Sequence, residues 1–301
     1  MSAIEWTDHT VNVQIGCSRV SPGCERCYAE TQANALARRF GKPGQPGHRY
    51  LPVVDGKGRW SRKVVLDNEA LDRPPHGPTP FGHGIPRRKR DGCRWRAPRV
   101  FLGSMTDHFH ESVNEDKLAN VLEWMALAPT VVWQLVTKRP ERAASMLEEA
   151  SGWGWGAGRL RWPTIHLLAT VEDQARADER VPQLVRAAPY VDLVGLSVEP
   201  LLGPVTIPVV ERLGWIIVGG ESGRGARPCD LAWIRSIVTQ CHEAGVPIFV
   251  KQLGAEAEQR ATEVSLPETI GLNHPKGGDW TEWPADLRIR EWPRSRLGDV
   301  C

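Results

Sequence analysis

Short apolar runs alternate with stretches of helical period along most of this chain. The runs Val11–Ile15, Val100–Gly103, Val131–Val136, Ile165–Ala169, Leu193–Leu196, Trp215–Val218 and Ile248–Val250 are continuous and rich in β-branched residues. That is the pattern of parallel strands covered on both faces. Val64–Leu66 is a weaker candidate. Between the runs, Ala29, Ala33, Leu36, Ala37 and Phe40 share a helical face that stops at Gly41. Leu118, Val121, Leu122 and Met125 form a stripe capped by Asn114, and Ala143, Met146, Leu147 and Ala150 form one opened by Pro140. Ile234, Ile237, Val238 and Cys241 lie between the cap Asp230 and the stop Gly245.

This alternation predicts an α/β fold. Over residues 1–254 it reads as a complete or partial TIM-type (βα) barrel, with a doubly wound open sheet as the alternative. Nearly every strand runs into polar residues: Ser104–Asp107, Thr137–Arg139, Thr170–Asp173, Ser197–Glu199, Gly219–Ser222 and Lys251-Gln252. In a barrel such ends converge on the active face, which favours that reading. Asp173 reads as a helix cap, whereas Glu199, Glu221 and Lys251 follow apolar strand residues too directly for that role. A Pro-, Gly- and Arg-rich insertion is expected at about 73–99, and residues 255–301 read as an irregular extension packed on the barrel.

Composition narrows the picture modestly. A formal net charge of +2 over 301 residues does not describe a wholly basic polyanion binder. The sequence holds no apolar run of membrane-spanning length and its first residues lack the pattern of a signal peptide, so a cytoplasmic location and no membrane partner are expected. Seven cysteines in such a compartment point to metal, catalysis or burial rather than disulfides.

Three of them, Cys17, Cys24 and Cys27, are spaced C-x6-C-x2-C after the first strand. Three thiolates on one loop can hold a metal centre and leave one position open, as in an iron–sulfur cluster with one open iron. Gly16, Pro22 and Gly23 permit a tight wrap, and Cys24 and Cys27 at i and i+3 are expected to share a helical turn. A zinc knuckle completed by His9 or His108, or three buried thiols, are the alternatives. In the insertion, Arg87, Arg88, Lys89, Arg90, Arg94, Arg96 and Arg99 surround Trp95 and face one acid, Asp91. This patch can contact phosphates while the indole stacks on a base, or it can be a solvated loop. Cys241 reads as core. His108 is a candidate acid or base. Gly223-x-Gly225 is too short for a dinucleotide fingerprint.

A three-cysteine loop after the first strand of a βα barrel resembles the radical S-adenosylmethionine superfamily, with three more residues between the first two cysteines than its usual spacing. Ile4-Glu5-Trp6-Thr7-Asp8, Gly16–Glu30, Ser104–Asp107, Leu135–Pro140, Ser197–Gly203, Val218–Gly223, Phe249–Gly254 and Lys276–Asp279 together resemble the phage-type three-cysteine-motif family of unknown function. That family is radical S-adenosylmethionine-like and distantly similar to spore photoproduct lyase. Val11-Asn12-Val13 stands where it usually has Trp-Asn-Pro, and Asp72–Cys93 carries the insertion.

The resemblance implies an enzyme with a [4Fe-4S] cluster on Cys17, Cys24 and Cys27, S-adenosylmethionine as cosubstrate and a 5′-deoxyadenosyl radical as product of its cleavage. It also implies an electron donor such as a flavodoxin or ferredoxin. Tyr28, Asn12, Ser104 and Asp107 are then expected to bind the cosubstrate. Glu199, Glu221 and Lys138 are expected to act in catalysis, and Cys229 to relay a hydrogen atom. The substrate expected is a nucleobase in DNA or RNA. A zinc-containing nucleic acid-binding protein without radical chemistry is the alternative. Metal-assisted hydrolysis using Asp107, Glu199 and Glu221 is a third reading.

Overall fold

The computed structural model describes residues 4–73, 75, 85–86, 95–155, 160–259 and 268–293, with 85–86 and 95–96 as backbone only. Seven strands share one sheet: β1 (His9–Val11), β2 (Arg99–Leu102), β3 (Val132–Thr137), β4 (Thr164–Thr170), β5 (Leu193–Val198), β6 (Trp215–Gly219) and β7 (Ile248–Gln252). Their order across the sheet is their order in sequence. β1 with β2, β2 with β3, β5 with β6 and β6 with β7 pair in parallel. A doubly wound sheet reverses its strand order at a switch point, and no reversal occurs here. The fold is therefore α/β, with a parallel sheet in the order of a partial βα barrel.

Two compact units divide the chain. One holds the residues up to Leu167 with Pro189–Asp192, and the second holds Leu168–Ala188 with Leu193–Pro293. In the first unit lie α1 (Tyr28–Phe40), α2 (Glu115–Ala126) and α3 (Pro140–Ser151). In the second lie α4 (Gln174–Arg186) and α5 (Leu231–Ala244). The helix starts follow local chemistry. Asn114 accepts from the Lys117 amide at 3.1 Å, Asp173 from Arg176 at 2.9 Å and Asp230 from Ala232 at 2.9 Å. Each cap satisfies an amide that the helix itself leaves unpaired. Among the described residues, no helix is long and apolar enough to cross a membrane.

The predicted strand Val11–Ile15 is two pieces. Only β1 joins the main sheet, while Gln14–Ile15 pairs antiparallel with Val65–Leu66. The break has a cause at Asn12. Its side-chain oxygen accepts from the Met105 amide at 2.9 Å, so the residue serves the loop after β2 and the ladder restarts with another partner. The extension is more ordered than its periodicity predicts. The Val250 amide donates to Ile289 at 2.9 Å and the Glu291 amide to Ile248 at 2.9 Å, laying residues 289–291 along β7.

Two buried histidines make the first unit acid-sensitive. Burial holds His108 and His166 down to about 4 from 6.5. The unfolded chain takes up these protons below about pH 6.5, whereas the folded chain resists until about pH 4. Their contribution is thus complete above pH 6.5 and lost as pH falls toward 4, by linkage on the order of 3 kcal/mol each. Urea melts between pH 7 and 4 are expected to show this slope, and His166→Gln to flatten it. An unchanged slope would locate the acid sensitivity elsewhere.

Candidate functional site

The cysteine loop begins at Gly16, whose φ is +106° and where a Cβ would lie 2.0 Å from the Lys63 carbonyl oxygen. Only glycine fits there. The Gly16 amide donates to Met105 O at 3.0 Å, and Thr106 Oγ1 donates to Gly16 O at 3.0 Å. Further along, Pro22–Cys24 forms one 3-10 turn and Cys27 is the N-cap of α1. Cys24 and Cys27 therefore do not share a helical turn as expected: Pro22-Gly23 closes a separate turn before α1 starts. Arg19 in the loop pairs with Glu30 in the first turn of α1, and Glu30 also accepts from the Trp60 amide at 3.0 Å.

None of the three thiols is in a disulfide. Cys17 and Cys27 pack against a core of Ile15, Ala29, Ala33, Ala37 and Met105 with their neighbours. Burial, then the Asp107 charge, push the Cys17 thiol up to about 12, and Cys24 and Cys27 add to the rise. The Cys17 sulfur thus feels the other two electrostatically. Among the described residues no three His, Cys, Asp or Glu side chains are already gathered around a metal point. The donor set nonetheless fits a soft-metal or iron–sulfur centre in kind: three thiols on one loop, which bind such a metal as thiolates. His108 does not join them. It is buried, with Nδ1 2.7 Å from Gln14 Oε1, and held neutral it is a poor general acid.

A second layer organises the loop. Asp107 is spent on the chain's own donors: Oδ1 accepts from the Phe109 amide at 3.0 Å and Thr137 Oγ1 at 2.8 Å. Its Oδ2 accepts from the Lys138 amide at 3.1 Å and Arg139 Nη1 at 2.9 Å. Arg139 also donates to Glu111 through Nε at 2.8 Å and Nη2 at 3.2 Å, and through Nη2 to Ser18 Oγ at 2.8 Å. Its Nη1 lies 4.0 Å from Cys17 Sγ. Burial works against the guanidinium charge, but Glu111, Asp107 and Cys17 outweigh it and its pKa rises. His110 Nδ1 accepts from the Ser112 amide at 3.0 Å, so the neutral ring carries its proton on Nε2, 2.9 Å from Ser18 Oγ.

Three residues expected to bind cosubstrate do come together. Asn12 Nδ2 donates to Ser104 Oγ at 3.2 Å, and Tyr28 Oη donates to Ser104 O at 2.9 Å. The Tyr28 residue is 56% exposed even so. Lys138 joins Asp107 through its backbone.

In the second unit, Lys251 Nζ pairs with Glu199 Oε1 at 2.5 Å. The register slips between Val218 and Gly219, whose partners are Val250 and Gln252, so Lys251 is the extra residue of a bulge. A bulge re-aims the side chain it carries. Glu221 accepts from the Arg227 amide at 2.8 Å and from Nε at 2.9 Å. Cys229 is fully buried, and burial pushes its thiol up to about 12. Asp107, Glu199 and Glu221 each pair with a basic side chain of their own.

The profile of a family described as protein of unknown function, DUF5131, matches residues 1–284. The chain belongs to the DUF5131 family. No curated protein and no solved structure matches it.

Arg87, Arg88, Lys89, Arg90 and Arg94 of the expected nucleic acid patch lie outside the described residues. At its edge, the backbone of Trp95–Arg96 pairs antiparallel with Ile85–Pro86. Sequence reasoning did not select Arg139, Glu111, Ser18 or His110. One signal was available: Arg139 is the N-cap of α3. A cation there opposes the helix dipole, so it needs a reason to stand at that end. Asp107 and Glu111 supply one.

Proposed function

We propose that this chain is a radical S-adenosylmethionine enzyme whose Cys17, Cys24 and Cys27 hold a [4Fe-4S] cluster. The observation that carries the reading is the placement of three disulfide-free thiols on one loop, anchored at Gly16 and beside the Asn12–Ser104–Tyr28 group. When bound, the cluster supplies the electron that splits the S-adenosylmethionine sulfonium. The chain's own work is to hold and orient. Tyr28 and Ser104 present a hydroxyl-bearing edge to the cosubstrate, and Asp107 keeps the β3 end in register with the loop. Glu199 with Lys251, and Glu221 with Arg227, offer charged pairs at the strand ends for substrate. A TIM-type barrel closing around the centre, a nucleobase substrate engaged by the basic insertion, and a flavodoxin- or ferredoxin-like donor complete the reading.

The test is anaerobic reconstitution with iron and sulfide, then dithionite and S-adenosylmethionine, with 5′-deoxyadenosine as readout. Oxygen-labile brown protein that forms this product is expected. Colourless protein with tight stoichiometric zinc and no product would overturn the proposal.

A further inference from the structure

The Arg139 guanidinium has five N–H groups, and each has an acceptor. Nε reaches Glu111 Oε1 at 2.8 Å, while Nη1 reaches Asp107 Oδ2 at 2.9 Å and Cys17 Sγ at 4.0 Å. Nη2 reaches Glu111 Oε2 at 3.2 Å and Ser18 Oγ at 2.8 Å. The planar fork therefore ties the end of β3 to the segment after β2 and to the start of the cysteine loop at once. No other cation can satisfy this set, because lysine has three donors on one flexible point. The site is also costly to build: a buried guanidinium at a helix N-terminus is favourable only with its carboxylates in place. Glu111, which takes two of the five bonds, has a side chain 62% exposed, so the pair is not needed to fill the core.

We propose that Arg139 is a positioning residue for the metal centre: it fixes Cys17 as the first sulfur ligand and donates an N–H to that sulfur. The inference rests on the metal-centre reading above. Groups that hydrogen-bond a ligand orient it and tune the metal, and their loss costs about 10–100-fold in affinity. Arg139 acts only through Cys17 and Ser18. Cys24 and Cys27 are set by the 3-10 turn and the α1 cap, which it does not touch. Its removal is therefore predicted to release one sulfur and leave two.

The experiment titrates cobalt(II) into the anaerobic metal-free full chain and reads the sulfur-to-cobalt charge-transfer absorption, whose intensity reports the number of thiolates bound. Arg139→Gln is expected to bind about 10–100-fold more weakly, with the reduced band of Cys17→Ala. Arg139→Lys is expected to rescue little. Glu111→Gln, at an exposed position, removes the carboxylate charge and turns one of the two acceptor oxygens into a donor without touching the core, and is expected to weaken binding in the same direction. It keeps the test valid if Arg139→Gln fails to fold. Wild-type intensity and affinity in Arg139→Gln or, where that variant does not fold, in Glu111→Gln would overturn the assignment while leaving the metal centre standing. No charge-transfer band in the wild type would overturn both.

Discussion

Alanine at any one of Cys17, Cys24 or Cys27 is expected to abolish cluster retention and 5′-deoxyadenosine formation, whereas alanine at Cys229 or Cys241 leaves cluster iron unchanged. The contrast follows from environment. The first three sit on one loop, and Cys17 lies within electrostatic reach of Cys24 and Cys27. Cys229 and Cys241 are fully buried, and burial pushes each thiol up to about 12. Cys229 lies on a short strand paired with Ala257, and Cys241 lies on the apolar face of α5. A cluster with one open iron needs all three protein thiolates, so one deletion removes a third of its attachment. Iron and sulfide analysis after desalting is the measurement. Full iron in Cys24→Ala would show that the loop does not ligate as a set. Loss of both iron and product in Cys229→Ala would move the centre to the second unit.

The largest stability effect is expected at Glu172 and Arg180, which no functional reading uses. Arg180 Nη1 donates to Glu172 Oε2 at 2.9 Å and to Thr170 O at 2.7 Å, with the Arg180 side chain 4% and the Glu172 side chain 0% exposed. Removing one partner strands the other charge in the interior, at about 3–5 kcal/mol. That is a large part of the roughly 5–15 kcal/mol that holds a typical domain together. Glu172→Ala and Arg180→Ala should each shift the urea midpoint strongly. The double replacement by apolar residues of similar volume should lose less than either single change. Single variants within about 1 kcal/mol of wild type would mean that the pair is solvated and worth only what a surface pair is worth.

What the sequence reveals here is what is local. Asn114, Asp173, Pro140 and Gly245 mark helix ends because a cap or a stop is made within a few residues. Gly16 and the cysteine spacing mark the loop for the same reason. Asn12, Ser104 and Tyr28 were singled out through the resemblance, and the folded chain hydrogen-bonds them to one another. Arg139 was not legible, since its partners lie 28 residues away at Glu111 and 121 away at Ser18. Lys251 was visible as a polar strand end, but its aim depends on a bulge, and pairing register is not written in one strand alone. Asp107 looked like a ligand residue because its neighbours are polar. Folded, its oxygens are taken by the Phe109 amide and by Thr137, Lys138 and Arg139 at the end of β3.

The reach of Arg139 sets an order of assembly. The bond from Arg139 to Ser18 closes an interval of 121 residues, and the one to Asp107 an interval of 32. Contacts so separated form late, because the entropy of closing the chain must be met first. During synthesis, which runs from the N-terminus, all three cysteines emerge long before the residue that fixes the first of them. A growing chain that stops short of Arg139 carries the thiols without the clamp. On the proposed reading, a metal centre is therefore loaded on the completed first unit rather than on its nascent loop.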